Sequence, residues 1–379
     1  MARMGERGRA GAGRVSRYLF TLAEPGDDAQ LRARMAQDWM DGDIAVSFRR
    51  EPSYFAGCRL QGDTAQVIVC RDLGRDKIVG LGSRCSSTMY IDGKPTRAGY
   101  LADLRGDPEY RKGTLLARGY RLLRSLHDDD LLPVYYTVIY DTNAVALRNL
   151  VGGRAGLPSY VPMGRILTPA LHLDLPKPAI DLPGVQLRRA RGDELAAIVA
   201  FLNGQLCSRQ FAPVYREQDF LAGGRCTGLG ADDFFLALRD GEIVGTIAAW
   251  DQAAIRQTHI ERYSPMLRLL RPFYQIASAV SPLKPLPPVG SRIPHLYLSC
   301  IAIAGDAPPL FRVLMRFAYN ALRTGPWHYA IAGLHERDPL APVLGEYRAI
   351  AAAGVLHKVD FGSPFELDDR VPYIEMALA

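Results

Sequence analysis

The sequence predicts a mixed α/β (α+β) fold built as two consecutive domains, each a mixed, mostly antiparallel sheet flanked by helices. Three observations carry this. Runs with the two-residue period of strands alternate with runs of helical period along the 379 residues. Between Thr168 and Gly184 the stretch TPALHLDLPKPAIDLPG places four prolines, which favours an extended connection, and the pattern restarts beyond it. Finally, Arg97 to Leu126 reads as a strand, a glycine-containing turn and a basic helix, an arrangement suited to holding a phosphate. The expected organisation is a basic tail at 1–14, a first domain at 15–167, a linker at 168–184 and a second domain at 185–379 with an insertion at 251–294.

Composition narrows the class. The chain is 48% hydrophobic and 23% charged, and no apolar run approaches the roughly twenty residues needed to cross a membrane. Its formal net charge is +6, but residues 1–17 hold five arginines against one glutamate and so carry +4 of it. The body is therefore close to neutral, which argues against a nucleic-acid partner. The tail, rich in Gly, Ala and Arg, reads as disordered; an organellar leader would also be rich in Arg, but this one is short and has no apolar stripe. The six cysteines form no close pair and no His-containing metal pattern, so they read as reduced thiols in a cytoplasmic protein with no metal.

Taken in order, Ser16 to Leu22 is a short strand, and Glu24 to Asp28 starts a helix through Leu31, Met35 and Trp39. Gln66 to Arg71 and Lys77 to Ile91 are strands, and Asp92-Gly93 turns the second of them into the central strand. Along that strand Tyr100, Ala102, Leu104 and Gly106 alternate with Leu101, Asp103 and Arg105, until Asp107 and Pro108 stop it. The turn that follows holds Arg111, Lys112, Gly113, Thr114 and Leu115. The first amides of a helix lack intrahelical partners and sit at the positive end of its dipole. Gly113 would let an anion approach them, while Arg111 and Lys112 add charge. Beyond the helix, Val134 to Tyr140 is a buried strand, and Asp141-Thr142-Asn143 caps a helix that runs through Ala146 and Leu150 to Gly152-Gly153.

The second half repeats this plan. Val185 to Arg189 is a strand, Asp193 starts a helix, Asp233 to Arg239 and Glu242 to Trp250 form a hairpin, and His295 to Ala304 is the counterpart of the central strand. A helix over Leu310 to Leu322 follows. Its preceding turn, Gly305-Asp306-Ala307-Pro308-Pro309, has two prolines that supply no amide and no basic residue before Arg312. In the insertion, Ile255, His259, Tyr263 and Leu267 fall at four-residue spacing, which predicts a helix, either packing across the two halves or forming a lid that grips the substrate; Arg256, Arg262, Arg268 and Arg271 read as a solvated face or as contacts to a phosphate or a lipid surface.

The run Leu104-x-x-x-Pro108-Glu109-Tyr110-Arg111, leading into Gly113 and a basic helix, resembles the coenzyme A pyrophosphate loop of the GNAT superfamily of N-acyltransferases. The order strand, helix, three strands, helix, strand, helix, strand is similar to that family as well, and Asn143-x-x-Ala146 resembles its last helix. Three features depart from it: the turn from Arg111 to Leu116 is a residue shorter, Leu115 stands where a second small residue is usual, and Leu150 where many members carry a tyrosine. The resemblance implies two tandem GNAT-like domains, the second degenerate, and acetyl-CoA or another acyl-CoA as co-substrate. Leu104 and Gly106 would lie along the pantetheine arm, Arg111, Lys112, Gly113, Thr114 and Leu115 at the pyrophosphate, and Asn143 nearer the thioester.

Acyl transfer to an amine also needs a base and, for some leaving groups, an acid. Asp103 is the carboxylate nearest the expected centre and is the candidate base; its structural alternative is a buried aspartate satisfied by neighbouring amides. With Leu150 in the usual tyrosine place, Tyr140 or Tyr160 is the candidate acid. His127, beside Asp128-Asp129-Asp130, reads as a helix C-terminal residue meeting the dipole. The implied function is N-acyl transfer to a primary amine of a small molecule or peptide. Two alternatives remain open: a longer-chain acyl or aminoacyl donor on the same fold, and a non-catalytic scaffold that senses a ligand or binds a partner.

Overall fold

A computed structural model describes residues 16–110, 114–152, 156–362 and 365–379. In chain order the main strands are β1 (Tyr18–Leu22), β2 (Ile44–Arg49), β3 (Thr64–Asp72), β4 (Lys77–Ile91), β5 (Lys94–Gly106), β6 (Tyr135–Tyr140), β7 (Ser159–Leu167), β8 (Ala170–His172), β9 (Gln186–Arg189), β10 (Phe234–Arg239), β11 (Glu242–Trp250), β12 (Gln257–Tyr263), β13 (His295–Ile303), β14 (Tyr329–Ala332) and β15 (Ala353–Asp360). The principal helices are α1 (Asp28–Gln37), α2 (Tyr54–Gln61), α3 (Leu115–Asp129), α4 (Leu195–Leu206), α5 (Pro265–Ala279) and α6 (Pro308–Leu322).

Two large sheets result, mostly antiparallel and covered by helices, in agreement with the α/β (α+β) class read from the sequence. The first has the order β1-β3-β4-β5-β6-β15-β7 with Leu334–His335 at its edge, and the second the order β9-β10-β11-β13-β14-β8 with Ala349–Ile350. Each holds one parallel pair, β5 with β6 and β13 with β14. The Asp92-Gly93 turn between β4 and β5 has φ of 50° and 77°, the left-handed pair that a tight hairpin requires.

The sheets exchange strands. β15, from near the C-terminus, lies between β6 and β7 and pairs antiparallel with both. Ala212–Pro213 also pairs with β4 in the first sheet, and β8, from the proline-rich connection, pairs with β14 in the second. Helix α3 buries Tyr120, Leu123 and Leu126 against the first sheet, as the three-and-four spacing of its leucines requires. Helix α6 buries Phe311, Leu314 and Met315 against the second, while α4 covers the opposite face through Ile198 and Leu202, in the cluster that holds Trp250.

The insertion departs from its sequence reading. Gln257–Tyr263 is strand β12, paired antiparallel with β2, and helix begins only at Pro265, where the Ser264 hydroxyl accepts from the Leu267 amide. Of the residues at four-residue spacing, Ile255 lies in the turn before the strand, His259 and Tyr263 in the strand and Leu267 in the helix after it. Through this pairing the segment reaches β2, about two hundred residues earlier in the chain.

Candidate functional site

The first sheet opens at one place. β5 and β6 pair only at Gly99 with Tyr135 and Tyr100 with Tyr136, although β5 continues to Gly106 and β6 to Tyr140. At the root of the opening a Cβ on Gly99 would lie 2.1 Å from Tyr135 Cδ1, so only glycine permits this approach. The Thr137 hydroxyl donates to the Leu101 carbonyl at 2.7 Å across the gap, and beyond that clasp the strands part. On its other side β5 carries a bulge. Pairing with β4 jumps from Leu81–Arg105 to Ser83–Ala102, which sets Asp103 and Leu104 opposite Gly82, with Asp103 at φ 54°.

Charged and phenolic groups converge on this wedge. Arg50, buried just after β2, places Nη2 2.5 Å from Asp103 Oδ2, and the Tyr54 hydroxyl donates to the same oxygen at 3.1 Å. Tyr54 also lies 3.0 Å from Ser83 Oγ, and the Arg50 guanidinium sits over the Tyr54 ring. Burial presses the Arg50 guanidinium toward neutrality, but the Asp103 carboxylate more than offsets this and holds its pKa above the usual arginine value. Burial, and then Asp103, push the Tyr54 and Tyr100 phenols up. Burial alone is the main reason that Tyr140, at the end of β6, is pushed up to about 12.

The second half completes the cluster. Arg256, just before β12, donates to the carbonyls of Ala377 at 3.3 Å and Ala379 at 2.9 Å; burial and then nearby Arg50 lower its pKa. Tyr297 on β13 is raised by burial and lowered by Arg256. Asp103, Arg50, Tyr100, Tyr140, Arg256 and Tyr297 thus lie close enough to perturb one another electrostatically.

No protein-family model and no curated protein matches the sequence. Solved structures do. A GCN5-related N-acetyltransferase from Sphaerobacter thermophilus matches with a TM-score of 0.58 at 13% identity, over 95% of this chain and 98% of that one. Saccharomyces cerevisiae N-myristoyltransferase with bound myristoyl-CoA matches with a TM-score of 0.60 at 9% identity, over 94% of this chain and 84% of that one. A glucosamine N-acetyltransferase region of a fungal β-N-acetylglucosaminidase matches with a TM-score of 0.60 at 11% identity, over 90% of this chain and 38% of that one. The chain has the GNAT fold.

Within that fold the residues singled out in the sequence fall into three groups. Asp103 and Tyr140 are in the wedge cluster; Leu104 and Gly106 lie on the part of β5 beyond its pairing with β6, with Leu104 exposed. Arg111, Lys112 and Gly113 lie outside the described residues, as do the tail at 1–14 and Gly153. Their flanks are firmly held. Tyr110 donates to Asp72 Oδ2 at 3.0 Å, Arg17 pairs with the same oxygen at 2.5 Å, and buried Asp107 accepts from Lys77 at 2.7 Å and from the Glu109 amide at 3.1 Å. Thr114 is the N-cap of α3 without a capping side-chain bond, and Leu115 begins the helix.

The remaining candidates have structural duties. Asn143 Oδ1 accepts from the Ala146 amide at 3.1 Å and caps the turn after β6. Tyr160 is away from the wedge cluster: it is buried under α3, its hydroxyl 2.5 Å from that of Tyr120, and burial pushes its pKa up strongly. Its sequence position gave no sign of this, because the partner lies on another element. His127 lies in the last turn of α3, as its sequence position implies, and is buried there, stacked on Phe361 with Nδ1 3.1 Å from the Tyr135 hydroxyl. Asp103 is satisfied by Arg50 and Tyr54, not by helix amides. Arg50, Tyr54 and Tyr297 escaped the sequence reading, and Tyr100 and Arg256 entered it only as a strand residue and an insertion arginine, since an arginine that will be buried looks like any other in a linear string.

The second GNAT unit repeats the bulge and closes it. Pairing of β11 with β13 jumps from Thr246–Ala302 to Ala248–Ser299, and Cys300 has φ 51°, as Asp103 has in the first unit. Here the Cys300 amide donates to Glu375 Oε2 at 2.8 Å and the Ile301 amide to the Tyr373 hydroxyl at 3.2 Å. Tyr373 and Tyr215 also donate to Glu375. At the start of α6, Asp306 pairs with Arg209 at 2.7 Å, so a carboxylate stands where an anion would need a positive turn.

Proposed function

We propose that this chain transfers an acyl group from an acyl-coenzyme A to a primary amine, with the thioester arm in the β5–β6 wedge of the first GNAT unit. The observation that carries this reading is the contrast between two equivalent bulges. The second unit spends its bulge amides on Glu375 and Tyr373, whereas the first surrounds its bulge with Asp103, Tyr100, Tyr140 and Arg256.

In the reaction the amine nitrogen attacks the thioester carbonyl, the C–N bond forms, the C–S bond breaks and the thiolate leaves. Asp103, oriented through Oδ2 by Arg50 and Tyr54, would receive the amine proton directly or through water. Tyr140, neutral at physiological pH, would protonate the thiolate. Arg111, Lys112 and Gly113 would hold the pyrophosphate before α3. An acetyl donor is the first reading. A longer acyl chain is supported by the fold shared with an N-myristoyltransferase bound to myristoyl-CoA, and by the exposed Leu104 beside the wedge.

Thiol release from acetyl-, hexanoyl- and palmitoyl-coenzyme A, followed with a panel of amino acids, polyamines, amino sugars and peptides, tests this. Acceptor-dependent release that is strongly reduced in Arg111→Ala is expected. Binding of a donor without release under any acceptor would favour the non-catalytic scaffold.

A further inference from the structure

Helix α5 turns its apolar side outward. Met266, Leu269, Leu270, Phe273, Ile276 and Val280 recur at helical spacing, each between 47% and 85% exposed, and no residue of the helix is buried. A helix that packed only on its own domain would hide such a stripe. The charge around it is one-sided: residues 262–294 contain five basic residues and no acidic one.

Beneath the stripe lies a cavity of about 570 Å³ between α5 and β12, walled by Tyr263, Arg268, Arg271, Gln275 and Val289. Glu261, the acidic residue in its lining, is already spent on Ser47 at 2.5 Å and Arg49 at 2.7 Å. Arg262 pairs with Asp41. Among the described residues, Arg268 and Arg271 have no carboxylate partner; Arg271 rests over the Tyr263 ring with a buried Nε that makes no hydrogen bond.

We propose that α5 docks on an anionic phospholipid surface, its apolar stripe entering the acyl boundary and Arg268 and Arg271 engaging headgroup phosphates. Chemistry selects this occupant. A lipid surface supplies apolar depth and negative charge together, the pair of properties that the stripe and the two guanidiniums lack partners for. A second copy of the chain seated on the same face would bring Arg268 and Arg271 against their own counterparts, like charge on like. At about 1.5 Å per residue the helix is too short to cross a bilayer, so it lies in the interface. Because β12 pairs with β2 and Arg256 immediately precedes it, docking would hold the Arg256 and Arg50 side of the wedge near that surface.

Co-sedimentation of the full chain with phosphatidylcholine vesicles, with and without phosphatidylglycerol, tests the proposal. Binding to the phosphatidylglycerol vesicles, weakened by salt, is expected. Phe273→Asp with Leu269→Asp should abolish it with an unchanged melting temperature, and Arg268→Ala with Arg271→Ala should weaken it about thirtyfold. No sedimentation with either vesicle would overturn the proposal. So would a dimer in light scattering that Phe273→Asp disperses, or wild-type vesicle binding by the Phe273→Asp/Leu269→Asp variant.

Discussion

At Asp103 a backbone requirement and a charge requirement meet in one residue. The bulge needs a left-handed φ, which aspartate tolerates better than most side chains, and the buried Arg50 guanidinium needs a counter-charge. Asp103→Asn keeps the shape and removes the charge, leaving Arg50 buried and uncompensated. Such a loss costs about 3–5 kcal/mol, so the variant should unfold at markedly lower denaturant than the parent. A variant of parental stability that has lost thiol release would instead make Asp103 a group of the reaction alone. The carboxylate itself was visible on the central strand of the sequence. Its partner was not, because Arg50 and Tyr54 reach it from α2 and the end of β2, and nothing local in Arg50-Glu51-Pro52 marks a residue for burial.

At the scale of elements, β15 is the piece on which the first sheet depends. It satisfies the facing edges of β6 and β7 along nearly its whole length, so a fragment of residues 16–167 would expose two unpaired edges at the centre of a sheet. That fragment is expected to show no cooperative thermal transition by circular dichroism; a cooperative melt near that of the full chain would contradict the interlocked fold. Local pattern was enough to find β4 at Lys77–Ile91, β5, and the apolar stripe of α3, since each is decided by its own periodicity. The same kind of evidence misread Gln257–Tyr263. There four-residue spacing arose by coincidence, while the strand is decided by pairing with β2, a partner far away in the chain, through a register shift between Ile260 and Arg262. Strand exchange is likewise invisible in sequence, because β15 looks like any apolar strand until its two neighbours are known.

For the whole molecule, the tandem plan was legible from the order of elements, and matching bulges at Asp103 and Cys300 give that plan a physical form. What the order could not reveal is the asymmetry: Glu375 and Tyr373 close the second unit from a segment beyond its last strand. The molecule also has a collective response to pH. Burial lowers the pKa of His127, His172, His295, His328, His335 and His357, six of the seven histidines. Each is neutral in the folded state at a pH where the unfolded chain binds a proton. Stability is therefore full above about pH 6.5 and falls as pH drops below it toward the depressed folded values, by up to about 1.4 kcal/mol per pH unit for each histidine. The melting temperature should decline between pH 7 and 5.5, above the range where carboxylates protonate; a flat profile would contradict the burial of these rings.

The central claim is that one GNAT unit of the pair, the first, holds an acyl-coenzyme A. Calorimetric titration of the purified chain with acetyl-, hexanoyl- and palmitoyl-coenzyme A, with Arg111→Ala as control, tests it most directly. Saturable binding at one site per chain, lost in Arg111→Ala while the melting temperature is retained, is the expected result, and the preferred chain length would then separate the acetyl from the longer-chain reading. No binding of any of the three, or binding that Arg111→Ala leaves untouched, would contradict it.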